Sequence, residues 1–156
     1  MNKPSLQIQH LDLKSLASNL KLASIDVIKT SNMDIESHWF RSVGPADLYF
    51  WKAKDRIVKH QISLFDQVVE WNEYDGVKTG YVNDEIEASD TICFDEDVNT
   101  EVIEKAIEFL GHARQLEAQV VKELIQHYRF YNRWQNRGVF RFLRRIFKLF
   151  GQKPRG

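Results

Sequence analysis

Hydrophobic positions along the chain change their period twice, and each change marks an expected element. In residues 6–23, "LQIQHLDLKSLASNLKLA", leucines stand at 11, 13, 16, 20 and 22. Leu13, Leu16 and Leu20 share one helical face, which predicts an N-terminal helix from about 10 to 23. The first eight of those residues alternate apolar with polar and also fit a strand.

From about residue 36 the pattern becomes short runs of aromatic and β-branched residues separated by turn chemistry. "SHWFRSV" stops at Gly44-Pro45, "DLYFWKA" at Lys54-Asp55, "RIVKHQISLF" at Asp66-Gln67, "VVEWNEY" at Asp75-Gly76, and "VKTGYV" closes the series. Asp-Gly supplies the positive φ that a type I′ hairpin needs. Connections this short exclude parallel crossovers, so the reading is a five-stranded antiparallel meander over 36–82. Residues 83–97 follow as an acidic connector whose "TICF" is apolar enough to tuck against the sheet.

Helical spacing then returns. Asn99 or Thr100 caps the start, with Glu101 and Glu104 where the helix dipole favours anions. Ile103, Ala106, Leu110, Ala113, Val120, Leu124, Tyr128 and Tyr131 recur at spacings of three, four or seven, predicting one long helix from about 100 to 134. Such a helix, about 50 Å long at 1.5 Å per residue, exceeds what a small sheet covers. Its far end, Leu124, Tyr128, Tyr131 and Trp134, is therefore a candidate surface for a homodimer.

The last segment, 137–156, has the strongest segregation in the chain. At about 100° per residue, Val139, Phe140, Phe142, Leu143, Ile146, Phe147, Leu149 and Phe150 fall in one half of a helical wheel. Arg141, Arg144, Arg145 and Lys148 fall in the other half. A short helix of this kind fits an interfacial anchor on anionic lipid, and equally an acidic partner. It also fits packing on its own domain or in a dimer. The candidate contact residues are Arg137, Phe140, Arg141, Leu143, Arg144, Arg145, Ile146, Phe147, Lys148 and Phe150. The fold class is thus α+β, with residues 1–136 as one domain and 137–156 as a basic amphipathic tail.

Charge sharpens this picture. The formal net charge is zero from 22 basic and 22 acidic residues, but seven of the basic ones lie in 137–156. That leaves 15 cations against all 22 acids in the body, so the body is near −7 and the tail +7. An acidic body argues against nucleic acid as the partner, which leaves another protein or, through the basic tail, an anionic surface. The single Cys93 excludes an internal disulfide, and no secretory signal or membrane span is visible. A cytoplasmic protein is expected, with the tail as its means of peripheral attachment at the inner face of a membrane.

Catalytic chemistry finds little support. The histidines are His10, His38, His60, His112 and His127. His112 and His127, on one helix, would stand more than about 20 Å apart, and no second His or Cys sits at helical spacing from either. "DEDVNTE" has Asp95, Asp97 and Asn99 at calcium-loop spacing, but Thr100 replaces the required glycine and Ala106 the bidentate acid. Helix capping explains those residues, so neither metal nor cofactor is expected. Ser37, His38, Asp47 and Cys93 lack a nucleophile elbow, and the glycines never cluster into a phosphate loop. The function expected is a non-catalytic adaptor or regulatory interaction module. The alternative is a small enzyme or ligand-binding domain using an aromatic sheet face around Trp39, Phe40, Tyr49, Trp51 and Trp71, with the tail in its core or dimer interface.

Overall fold

A computed structural model describes residues 12–29, 33–83 and 91–135. The chain is α+β, with helix α1 (Leu13–Ser18) leading into strands β1 (Lys21–Lys29), β2 (Asp34–Arg41), β3 (Ala46–Ala53), β4 (Arg56–Leu64), β5 (Gln67–Asn72), β6 (Gly76–Asn83) and β7 (Thr91–Phe94). Helices α2 (Thr100–Gly111) and α3 (Ala118–Gln135) follow. All strands join one antiparallel sheet in the order β1-β2-β3-β4-β5-β6-β7.

The five expected strands are β2 to β6, and the sheet gains one more at each edge. The helix expected over 10–23 is shorter: Asp12 caps α1 by accepting from the Ser15 amide at 3.1 Å, and the helix stops at Ser18. There Asn19 donates its side-chain N–H to the Ser15 carbonyl, which closes the last turn. Beyond it Ile25, Val27 and Ile28 favour a strand, because β-branched side chains fit a pleated surface better than a helix. At the other edge "TICF" is β7, pairing Cys93 with Tyr81 and Ile92 with Val82.

The turn at Asp75-Gly76 differs from the expected type I′. Asn72 pairs with Gly76 across a three-residue loop, and only Gly76 has positive φ, at 75°. The Asn72 side chain accepts from the amides of Tyr74 and Asp75 at 3.0 and 2.8 Å, so an Asx-type turn builds this corner.

The single long helix is two. Gly111 ends α2, and residues 112–117 turn the chain before α3 begins. Ala113 and Leu116 are buried inside that turn, which is why the apolar spacing runs through it without interruption. Asn99 caps α2 by accepting from the amides of Glu101 and Val102 at 3.1 and 3.4 Å.

Alternation along the strands sorts side chains to two faces. On one lie the cross-strand rows Phe40–Leu48–Ile62–Val69 and His38–Phe50–His60–Trp71–Val77. The helices close over this face, packing Val102, Ile103, Ala106, Phe109, Leu110, Leu124 and Tyr128 into one core with Leu48, Phe50, Ile62 and Val69. Helix α1 adds Leu13 and Ala17, and the Leu16 carbonyl accepts from the Ser42 hydroxyl at 2.9 Å.

Candidate functional site

The opposite face carries the rows Trp39–Tyr49–Gln61–Glu70–Lys78 and Ser37–Trp51–Lys59–Asn72. Among the described residues no helix packs on this aromatic part of the sheet, and Trp39, Tyr49 and Trp51 are all half-buried. Their rings are near-parallel: 5.5 Å and 9° between Trp39 and Tyr49, 6.1 Å and 17° between Tyr49 and Trp51. The order follows from strand pairing. Trp39 sits directly across from Tyr49, and Trp51 two residues further along β3 returns to the same side.

Polar groups hold each end of the row. The Trp39 indole N–H donates to Asp47 Oδ1 at 2.9 Å, and Arg41 Nε stands 3.6 Å from that same oxygen. The Arg41 guanidinium lies 5.5 Å from the Trp39 ring, and Lys59 Nζ 5.2 Å from the Trp51 ring. Lys59 also pairs with the nearly buried Glu70 at 3.1 Å. Each cation beside the row therefore has its own carboxylate. Among the described residues this surface is aromatic and of mixed sign.

A second cluster lies inside the core. His60 is fully buried; its Nδ1 is 3.1 Å from the Tyr128 hydroxyl and its Nε2 is 3.2 Å from His127 Nδ1. The Tyr128 hydroxyl also donates to the Val69 carbonyl at 3.5 Å, and of the two His60 ring nitrogens one donates and the other accepts while the ring is neutral. Trp71 stacks on His127 at 3.6 Å and 6°. Burial pushes the His60 pKa well below its ordinary value, and the neighbouring His127 pushes the same way. Burial also lowers the pKa of His127, against the opposing pull of Glu123. Burial, and then Glu70, raises that of Tyr128 well above the usual phenol value.

The structure distributes the expected site residues unevenly. Leu124 and Tyr128 are fully buried in the chain's own core. Tyr131 is partly buried beneath Gly76, and Trp134 lies in α3. Arg137, Phe140, Arg141, Leu143, Arg144, Arg145, Ile146, Phe147, Lys148 and Phe150 lie outside the described residues. His38 Nε2 stands 3.2 Å from Glu36 on strand β2, while His60 has aromatic and imidazole neighbours rather than an acid. Among the described residues no group of three or more His, Cys, Asp or Glu side chains could hold a metal ion, and no helix is long and apolar enough to cross a membrane. The His60–His127 contact had no signal in the sequence, because its partners are 67 residues apart.

No family model, curated protein or solved structure matches this chain.

Proposed function

We propose that this protein is a non-catalytic interaction module, an adaptor or regulatory protein that holds a protein partner on the aromatic face of its sheet. The near-parallel row of Trp39, Tyr49 and Trp51 carries this reading. Large, conformationally restricted aromatic side chains beside Arg41 and Lys59 are the kind that dominate protein–protein contacts. Paired charges of both signs at the rim suit a polar protein surface better than a phosphate backbone.

The basic segment 137–156 supplies a second contact, to anionic lipid or to an acidic surface, and brings the module to where its partner works. The proposed site of action is the cytoplasm, at the inner face of a membrane.

The test uses the full chain as bait against the double variant Tyr49→Ser and Trp51→Ser. Circular dichroism and melting first establish that the variant is folded. A protein captured by the wild type, then purified, should bind it directly and lose at least about tenfold in affinity to the variant, as removal of two central aromatic contacts implies. Equal affinity for both would remove the sheet face from the reading.

A further inference from the structure

Helix α3 is fastened to the sheet in two parts. Val120 and Leu124 hold its first half in the core, and the Glu123 carboxylate accepts from the Ile57 amide of β4 at 3.1 Å. From His127 onward the fastening changes character. The His127 ring is half-buried, Arg129 and Phe130 are exposed, and Tyr131 is partly buried beneath Gly76. Tyr128 is fully buried, and its hydroxyl and the His127 ring both bond to His60. These two hydrogen bonds meet on a single imidazole of β4.

Two protons act on this arrangement differently. His127 is more open to solvent than His60 and has Glu123 four residues before it on the same helix, so the first proton goes to His127. The bond survives that step. A charged His127 donates from Nδ1, His60 accepts at Nε2 and donates from Nδ1 to the phenol oxygen, and the phenol donates to the Val69 carbonyl. Trp71, stacked on His127 at 3.6 Å, offers its π face to the cation. A second proton, on His60, leaves no acceptor, and two charged rings then face each other across 3.2 Å. The surrounding carboxylates are engaged elsewhere: Glu70 with Lys59 at 3.1 Å, Glu73 with Arg56 at 2.8 Å, Glu36 with His38 at 3.2 Å. Glu123 is shared between His127 and the Ile57 amide. Lys52, 5.7 Å from the Phe50 ring on β3, is itself positive. Strand β6 turns Val77 and Thr79 to this side of the sheet, and the core residues of α2 are apolar.

We infer that the His60–His127 pair is an acid-released latch: with both rings charged, α3 from His127 to Gln135 leaves the sheet while its first half and the strands stay folded. The boundary follows from the fastenings, since Val120, Leu124 and the Glu123–Ile57 bond contain no imidazole. Release exposes the Tyr128 ring, so the open form is a minor population that grows with acidity. Each proton taken up on opening multiplies that population by up to about tenfold per pH unit below the ordinary histidine value. A general loss of stability in acid would instead release every element together. The basic segment 137–156 continues from α3, so the latch also sets how far that segment reaches from the body. That last consequence rests on the tail's proposed role; the latch itself does not.

The test is amide hydrogen exchange of the full chain at pH 7.5 and 5.0, corrected for the intrinsic rate at each pH. Amides of residues 128–133 should open at least about tenfold more often at pH 5.0, and those of residues 57–62 in β4 should change much less. His127→Phe keeps a ring for Trp71 to stack on but cannot bond to His60, so it should raise opening of the same α3 amides already at pH 7.5. Equal acceleration in α3 and β4 means whole-domain unfolding and overturns the inference. So does exchange of 128–133 that is the same at both pH values, or a His127→Phe variant with unchanged exchange at pH 7.5. Should that variant fail to fold, the wild-type comparison of α3 with β4 decides the question alone.

Discussion

His60 and His127 share a hydrogen bond 3.2 Å long that ties the centre of the sheet to helix α3. The bond needs at least one neutral ring as its acceptor, and protonating either ring brings positive charge into the core. Tyr128, Trp71 and His127 enclose His60, and none of them carries a negative charge to compensate.

Stability should therefore fall as the solution is acidified from neutral. Both histidines have pKa values lowered in the folded state, so the unfolded chain binds more protons once the pH drops below the ordinary histidine value of about 6.5. Their contribution is complete above that pH and is lost progressively as the pH falls toward the depressed folded values. For His60 the slope is about 1.4 kcal/mol per pH unit; His127, partly open to solvent, adds less. Urea denaturation at pH 7.5 and 5.5 measures the effect, and His127→Phe should remove only the smaller share of it while lowering stability at pH 7.5. A midpoint that does not move between those pH values would refute this account.

Gly80 decides whether β7 can lie on the sheet. A Cβ built at Gly80 meets the carbonyl oxygen of Cys93 and comes within 3.0 Å of the Phe94 Cα, both backbone atoms with no freedom to step aside. Gly80→Ala should cost about 1–3 kcal/mol and loosen β7 first, where faster exchange of the Asp95 amide, which donates to the Thr79 carbonyl at 2.8 Å, would report it. Gly111→Ala is the control: nothing lies within 4 Å of the added methyl, so it should be neutral or stabilising. Equal stability of the two variants would show that the β6–β7 approach is not a constraint.

Strands β2 to β6 were legible because alternation and turn residues coincide in them, as at Gly44-Pro45 and Asp75-Gly76. Strand β1 was hidden by the leucines before it: Leu13, Leu16 and Leu20 fit one helical face, although the backbone leaves the helix at Ser18. The break between α2 and α3 was hidden for the converse reason, Ala113 and Leu116 keeping a helical spacing inside a buried turn. Trp39, Tyr49 and Trp51 could be seen as aromatic residues, but their alignment depends on the pairing of Trp39 with Tyr49. The His60–Tyr128 and His60–His127 contacts are products of tertiary packing, with nothing local to announce them.

The tail yields the most direct test of where the module works. Arg141, Arg144, Arg145 and Lys148 occupy one side of the helical wheel, and Phe140 and Phe147 lie on the other. Each cation near anionic lipid contributes about 1 kcal/mol, and partial burial of the phenylalanines adds a salt-insensitive share. Full-length protein should therefore sediment with vesicles containing phosphatidylserine and release partly as salt rises, the screening length falling from about 10 Å at 0.1 M to about 3 Å at 1 M. Replacing the four cations by Glu should abolish sedimentation and leave the melting temperature unchanged. Phe140→Ser with Phe147→Ser separates anchor from core: an anchor releases from vesicles at unaltered stability, whereas a core segment lowers the melting temperature of the whole domain. Loss of folding in that variant, together with a wild type that ignores vesicles at low salt, would assign these residues to the core and remove the membrane from the proposed function.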